Sequence, residues 1–184
     1  MASPTGAQRV NARTSVSGFA KATSKSVLAA APRRKWTSIS KRFGGSSTPS
    51  ASNLFNLLIG NGGNILNGGL GRRNILVAGA SASTLHGGDG EDLLIGGSTA
   101  YDTEAGLSSW QQIAVYWAGS DDYATRVASL TSGSGVPLLD ASVVTGNGGG
   151  NSLSGNGALA LLYSDGLDAI AGFDWGSQQV LIGP

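Results

Sequence analysis

Oxygen is the only side-chain chemistry this 184-residue sequence supplies in quantity. Cys is absent and His occurs once, at His86. Disulfide scaffolds, thiolate zinc sites, cysteine nucleophiles and multi-histidine metal centres are therefore excluded. Serines are plentiful, but a hydrolase elbow needs G-x-S-x-G, and Gly79-Ala80-Ser81-Ala82-Ser83 lacks the second glycine. A glycosidase needs two convergent carboxylates, and no spacing among the eleven acids singles out such a pair. Ile75-Leu76-Val77-Ala78-Gly79 has the look of a strand running into a dinucleotide-binding turn. G-x-G-x-x-G is missing, however, and Leu85-His86-Gly87-Gly88 follows where a helix would be needed. His86, the only imidazole, reads as a solvent-facing or packing residue at a strand end. No enzyme is expected.

The elements that position these oxygens are periodic. Asn56-Leu57-Leu58-Ile59-Gly60, Asn64-Ile65-Leu66-Asn67-Gly68, Asn74-Ile75-Leu76-Val77-Ala78-Gly79, Ser83-Thr84-Leu85-His86-Gly87 and Asp92-Leu93-Leu94-Ile95-Gly96 repeat one plan. Each is a small polar residue, a three-residue apolar strand and a glycine turn. The central leucines fall at 58, 66, 76, 85 and 94, and a fainter copy recurs at Asn151-Ser152-Leu153-Ser154-Gly155. Such short strands cannot bury an apolar face alone, but stacked copies bury a continuous Leu/Ile column. Glycine supplies positive φ at the corners, and Asn tolerates the same region while capping stacked backbone groups. A helix could not accept 30 glycines in 184 residues so distributed. Parallel short strands wound into a solenoid are expected.

Gly87-Gly88-Asp89-Gly90-Glu91-Asp92-Leu93-Leu94-Ile95 resembles the nonapeptide G-G-x-G-x-D-x-U-x of the RTX, or hemolysin-type calcium-binding, repeat family. The resemblance covers 56–97 and, more faintly, 146–174. It implies a parallel β-roll whose turns hold Ca²⁺ through Asp carboxylates and backbone carbonyls, consistent with calcium's need for six or more oxygens in flexible geometry. On that resemblance the ligand segment is Gly87, Gly88, Asp89, Gly90 and Asp92, completed by Asn74 from the turn 18 residues earlier. The sequence also departs from the family. Asp92 is the only Asp at the ligand position, which Asn56, Asn64, Asn74 and Ser83 occupy elsewhere, and Ala160 stands there in the late copy Gly155–Leu162. One weak calcium site is expected, with a metal-free solenoid of Asn-lined corners as the alternative.

Charge is segregated along the chain. Residues 1–88 hold eleven of the twelve Lys and Arg and no acid, whereas residues 89–184 hold eleven acids against Arg126. The first 52 residues carry nine of the cations among Ser, Ala, Thr and Gly, too apolar-poor to order themselves. They read as a disordered arm ending in the linker Gly44–Ser50. Binding of nucleic acid or an anionic membrane through Arg33-Arg34-Lys35 and Lys41-Arg42, with Trp36 and Phe43 beside them, is the alternative function. The arm's composition also fits a transit peptide or the tail of a linker from a longer protein.

Beyond Gly97, Leu107, Trp110, Ile113, Ala114 and Trp117 follow helical spacing. Asp121 or Asp122 would cap a second helix carrying Tyr123, Val127 and Leu130. The pair is expected as a hairpin capping the end of the roll, with Trp110, Tyr116, Trp117 and Tyr123 in its core. Val143-Val144, Ser152-Leu153, Leu161-Leu162-Tyr163 and Val180-Leu181-Ile182 read as strands, with Asp165, Asp168 and Asp174 as turn formers.

The expected architecture is mainly β: a short parallel β-roll or β-solenoid with a helical insertion or cap and a disordered basic arm. Its segments are 1–52 (arm and linker), 53–97 (repeats), 98–132 (helices) and 133–184 (late repeat and strands). The resemblance implies a secreted or cell-surface module, structural or adhesive, exported through a type I system that reads a C-terminal signal; a cytoplasmic protein is the alternative. No apolar run reaches the roughly 18 residues of a membrane-spanning helix.

Overall fold

The computed structural model describes residues 38–41, 56–70, 73–155, 159–172 and 179–182. The expected arm and linker therefore lie outside the described residues except for 38–41, as do 156–158 of the late repeat and Asp174.

The apolar tetrads form strands that stack in register. Ser38–Lys41 (β1), Asn56–Ile59 (β2), Asn74–Val77 (β4), Asp92–Ile95 (β6), Ala160–Ser164 (β10) and Gln179–Ile182 (β12) make one parallel sheet in the order β1-β2-β4-β6-β10-β12. The shorter triads Ile65–Asn67 (β3), Thr84–His86 (β5), Ser152–Ser154 (β9) and Ala169–Ala171 (β11) make a second, in the order β11-β9-β5-β3. From β2 to β6 the chain alternates between the sheets, and it resumes doing so from β9 to β12. Successive strands of the larger sheet are 18 residues apart: Leu57 lies opposite Ile75, and Ile75 opposite Leu93.

Ser38–Lys41 departs from the sequence reading of the arm. It pairs in parallel with β2, Ser38 opposite Asn56, one further 18-residue step upstream. Ile39 is its only apolar residue, so hydrophobic periodicity gives no signal there. Strand pairing draws on backbone N–H and C=O groups, which composition does not report.

Between β6 and β9 the repeat is interrupted. Leu93 lies opposite Leu161, 68 residues on, fifty more than the 18 of the neighbouring step, and yet the register is kept. The interruption is clipped at its base by the antiparallel strands Gly97–Thr99 (β7) and Val144–Gly146 (β8). This pair places the chain up to Gly146 with the insertion, and the repeat resumes at β9. Within it stand two helices, Leu107–Trp117 (α1) and Tyr123–Ser132 (α2). Of the two candidate caps, Asp122 is the one that caps α2, its carboxylate accepting from the Thr125 N–H at 2.8 Å. Gly133 closes the helix at φ 69°, a left-handed conformation that glycine adopts without a Cβ clash.

The helices cover a face of the larger sheet, not the end of the stack. Along each tetrad, alternate residues point to opposite sides. Leu58, Leu76, Leu94 and Leu162 join Leu66, Leu85 and Leu153 between the two sheets. Leu57, Ile59, Ile75, Val77, Leu93, Ile95, Leu161 and Tyr163 face the other way, onto Trp110, Ile113, Trp117, Val127 and Leu130 of the helices. The larger sheet is thus the middle of three layers. Burial on both sides explains why its strands read as continuous apolar runs, as parallel strands with two covered faces do. The smaller sheet keeps an open outer face, so β3 alternates exposed Ile65 with buried Leu66.

Candidate functional site

The small polar residue that begins each repeat is buried. Asn56, Asn74 and Asp92 are 0% exposed, and they form a ladder along the first strands of the larger sheet. Asn56 Nδ2 donates to Asn74 Oδ1 at 2.9 Å. The Asn74 backbone N–H and Nδ2 both donate to Asp92 Oδ1, at 2.7 and 2.9 Å. Asn74 Nδ2 also reaches the Gly87 carbonyl at 3.0 Å. Buried polar groups left unpaired would cost about 1–3 kcal/mol each, and this arrangement answers them coil by coil.

Asp92 ends the ladder. Its Cα partner on the next strand is Ala160, which offers no side-chain donor, and Asp92 Oδ2 is buried without a hydrogen-bond partner. Burial pushes the carboxyl up to about 7, against the lowering effect of the Asn74 hydrogen bonds. Oδ2 rests against Gly87, where a Cβ would stand 2.4 Å away, so only glycine fits that position. Gly88 is held at φ 119°, with the Gly69 carbonyl 2.0 Å from where a Cβ would lie.

Of the expected ligand segment, the structure brings Asn74, Gly87 and Asp92 together. Asp89 lies exposed on the outer part of the turn, Gly88 is buried and Gly90 half-buried. Asn74 meets Asp92 with hydrogens; its own Oδ1 accepts from Asn56. Asp92 Oδ1 and the Gly87 carbonyl are therefore committed to Asn74. The oxygens that fit a calcium ion are the orphaned, buried Asp92 Oδ2, the Asp89 carboxylate and the carbonyls of Gly88 and Gly90. They make a partial shell, and among the described residues no three of His, Cys, Asp or Glu are grouped to hold a metal.

A second ladder, along the smaller sheet, was only half visible in the sequence. The Asn64 N–H donates to Ser83 Oγ at 3.2 Å and the Ser83 N–H to Asn151 Oδ1 at 2.9 Å. The Asn151 N–H and Nδ2 both donate to Asp168 Oδ1 at 2.7 Å, while Nδ2 also reaches the Gly96 carbonyl at 2.7 Å. Asp168 Oδ2 is buried without a partner and lies 2.2 Å from where a Cβ on Gly96 would be. Asn151, Asp168 and Gly96 thus reproduce Asn74, Asp92 and Gly87. The sequence signal was a 17-residue spacing from Asn151, easily passed over because Ser164-Asp165-Gly166-Leu167-Asp168 lacks the paired glycines.

Glu91 was also missed as a contact residue. Its carboxylate Oε2 accepts from Arg73 Nε at 2.8 Å and from the Arg126 guanidinium. Its carbonyl accepts from Trp117 Nε1 at 3.1 Å. Arg126 is fully buried, donates to the Asp121 carbonyl and lies 5.0 Å from the centre of the Trp117 ring. His86 closes β5, half-buried, opposite Asn67 and Ser154. Compared with known proteins, the chain matches no family model, no curated protein and no solved structure.

Proposed function

We propose that the chain is a structural repeat module: a short parallel β-roll of the RTX kind, each coil two strands and two glycine turns, with one calcium ion held at the Gly87–Asp92 turn. The observation that carries this reading is the ladder Asn56–Asn74–Asp92, which stitches coil to coil and ends on a buried carboxylate oxygen with no donor. The strand alternation and the 18-residue step support the roll. Neutral Asn and Ser bond directly where the family places calcium-binding Asp, so cohesion in the other coils needs no ion. Calcium, where bound, would supply positive charge beside Asp92 Oδ2, with Asp89 and the carbonyls of Gly88 and Gly90 completing the shell.

A secreted or cell-surface setting, structural or adhesive, belongs to the same reading, since extracellular modules bind calcium with Kd of about 10⁻⁴–10⁻³ M. Calcium titrated to about tenfold its Kd should raise Tm by roughly 3–5 °C. Asp92→Asn, which keeps the acceptor for Asn74 but removes the charge, should abolish the shift. A melting point that ignores millimolar calcium, or an equal shift in Asp92→Asn, removes the metal and leaves an ion-free roll.

A further inference from the structure

We propose that Glu91 is a positioning residue, a clasp through which the helical insertion holds the Gly87–Asp92 turn in its shape. The inference rests on the reading of that turn as the cation site.

Three donors converge on this one residue. Two come from the insertion: Trp117 Nε1 to the Glu91 carbonyl at 3.1 Å, and the buried Arg126 guanidinium to its carboxylate. The third, Arg73 Nε at 2.8 Å, comes from the preceding coil, and Arg73 also donates to the Gly119 carbonyl in the link between the helices. Arg73 and Glu91 immediately precede Asn74 and Asp92. The same coil-to-coil step is therefore held twice, inside by the amide–carboxylate rung and outside by the guanidinium–carboxylate pair. The outer hold is the one the helices share.

Two consequences follow for the turn. Glu91 is removed as a ligand, because its carbonyl and its carboxylate already have donors. Its charge is also matched by two guanidinium groups, which moderates its repulsion of Asp89 and Asp92. What remains free to meet a cation is then presented from a backbone fixed on both sides of Gly90, and ordering that would otherwise accompany binding is already complete. Arg126 suits this role: it is rigid, planar, always charged, and stacked on the indole that makes the other contact.

The test uses the full chain with Trp117→Phe, which deletes the indole donor while keeping a buried ring, and with Arg126→Met. Amide hydrogen exchange in chelator is the first readout. The amides of Gly88–Glu91 should exchange at least about fivefold faster in either variant, the equivalent of one lost hydrogen bond. Those of Leu66 and Leu85, in the smaller sheet, should not change. Calcium affinity by calorimetry is the second, expected to fall by a similar factor in both variants. Unchanged turn exchange overturns the clasp. So does acceleration spread equally over the smaller sheet, which would mark general destabilisation, or affinity that holds or rises. If the parent chain binds no calcium, the metal reading fails by itself, and the exchange pattern alone decides the clasp.

Discussion

Asp92 sits where an acceptor is required from below and nothing is offered from beyond. An amide there would turn Nδ2 toward Gly87 with no acceptor; a carboxyl leaves one oxygen unpartnered, and a proton relieves its charge. Because burial raises the folded pKa from 3.8 to about 7, the folded state binds more protons than the unfolded chain across that interval. Stability in chelator should then be greatest below about pH 4, fall as pH rises through 4–7, and level off above. The total loss is roughly 3–4 kcal/mol. Urea unfolding of the parent and of Asp92→Asn between pH 4 and 8 checks this, the variant having no such slope from this site. A parent curve as flat as the variant's would show that Oδ2 is solvated or paired in solution. The sequence placed Asn74 beside Asp92 from the 18-residue phase alone. It could not say that Asn74 would present hydrogens, since an amide carries donors and acceptors alike and only the neighbours select between them.

At the scale of elements, the strands were legible because a column of leucines leaves a period. Both helices were legible because an apolar stripe leaves one too, and the Trp110–Ile113–Trp117 face is buried as spaced. What the helices cover was not legible, because a stripe declares only that it must be buried. The clue lay in the strands: Leu57-Leu58-Ile59 and Leu93-Leu94-Ile95 are apolar on both faces, and a two-sheet stack needs only one. That surplus face is the helices' docking surface. Trp117→Ala, which opens a cavity between the layers and removes the Glu91 contact, should cost about 3–5 kcal/mol by chemical denaturation. Val115→Ala, at a position 50% exposed on the same helix, should stay within about 0.5 kcal/mol. Equal losses would mean that the helix is not docked by this face.

For the whole molecule, the segregated charge reads differently once the layers are known. The sign changes between His86 and Asp89, inside the repeat, and Glu91 on the acidic side is met by Arg73 from the basic half and by Arg126, the lone cation of the acidic half. The insertion is thus fastened by charge at one corner and by apolar contact across a sheet. Its splice is also neutral to the stack, since Leu93 meets Leu161 in the register that unbroken 18-residue steps would give. Removing residues 98–147 behind a short turn should therefore leave the coils able to pair while uncovering the apolar column Leu57, Ile59, Ile75, Val77, Leu93, Ile95, Leu161 and Tyr163. An exposed apolar patch of that extent drives association. Sedimentation should show the shortened chain self-associating with its β signal retained, whereas replacing Ile75, Leu93 and Leu161 with Thr in the same background should return it to a smaller species. A shortened chain that stays monomeric with full β signal would mean that the helices are a dispensable ornament. One that loses its β signal would mean that the coils need the third layer to form at all.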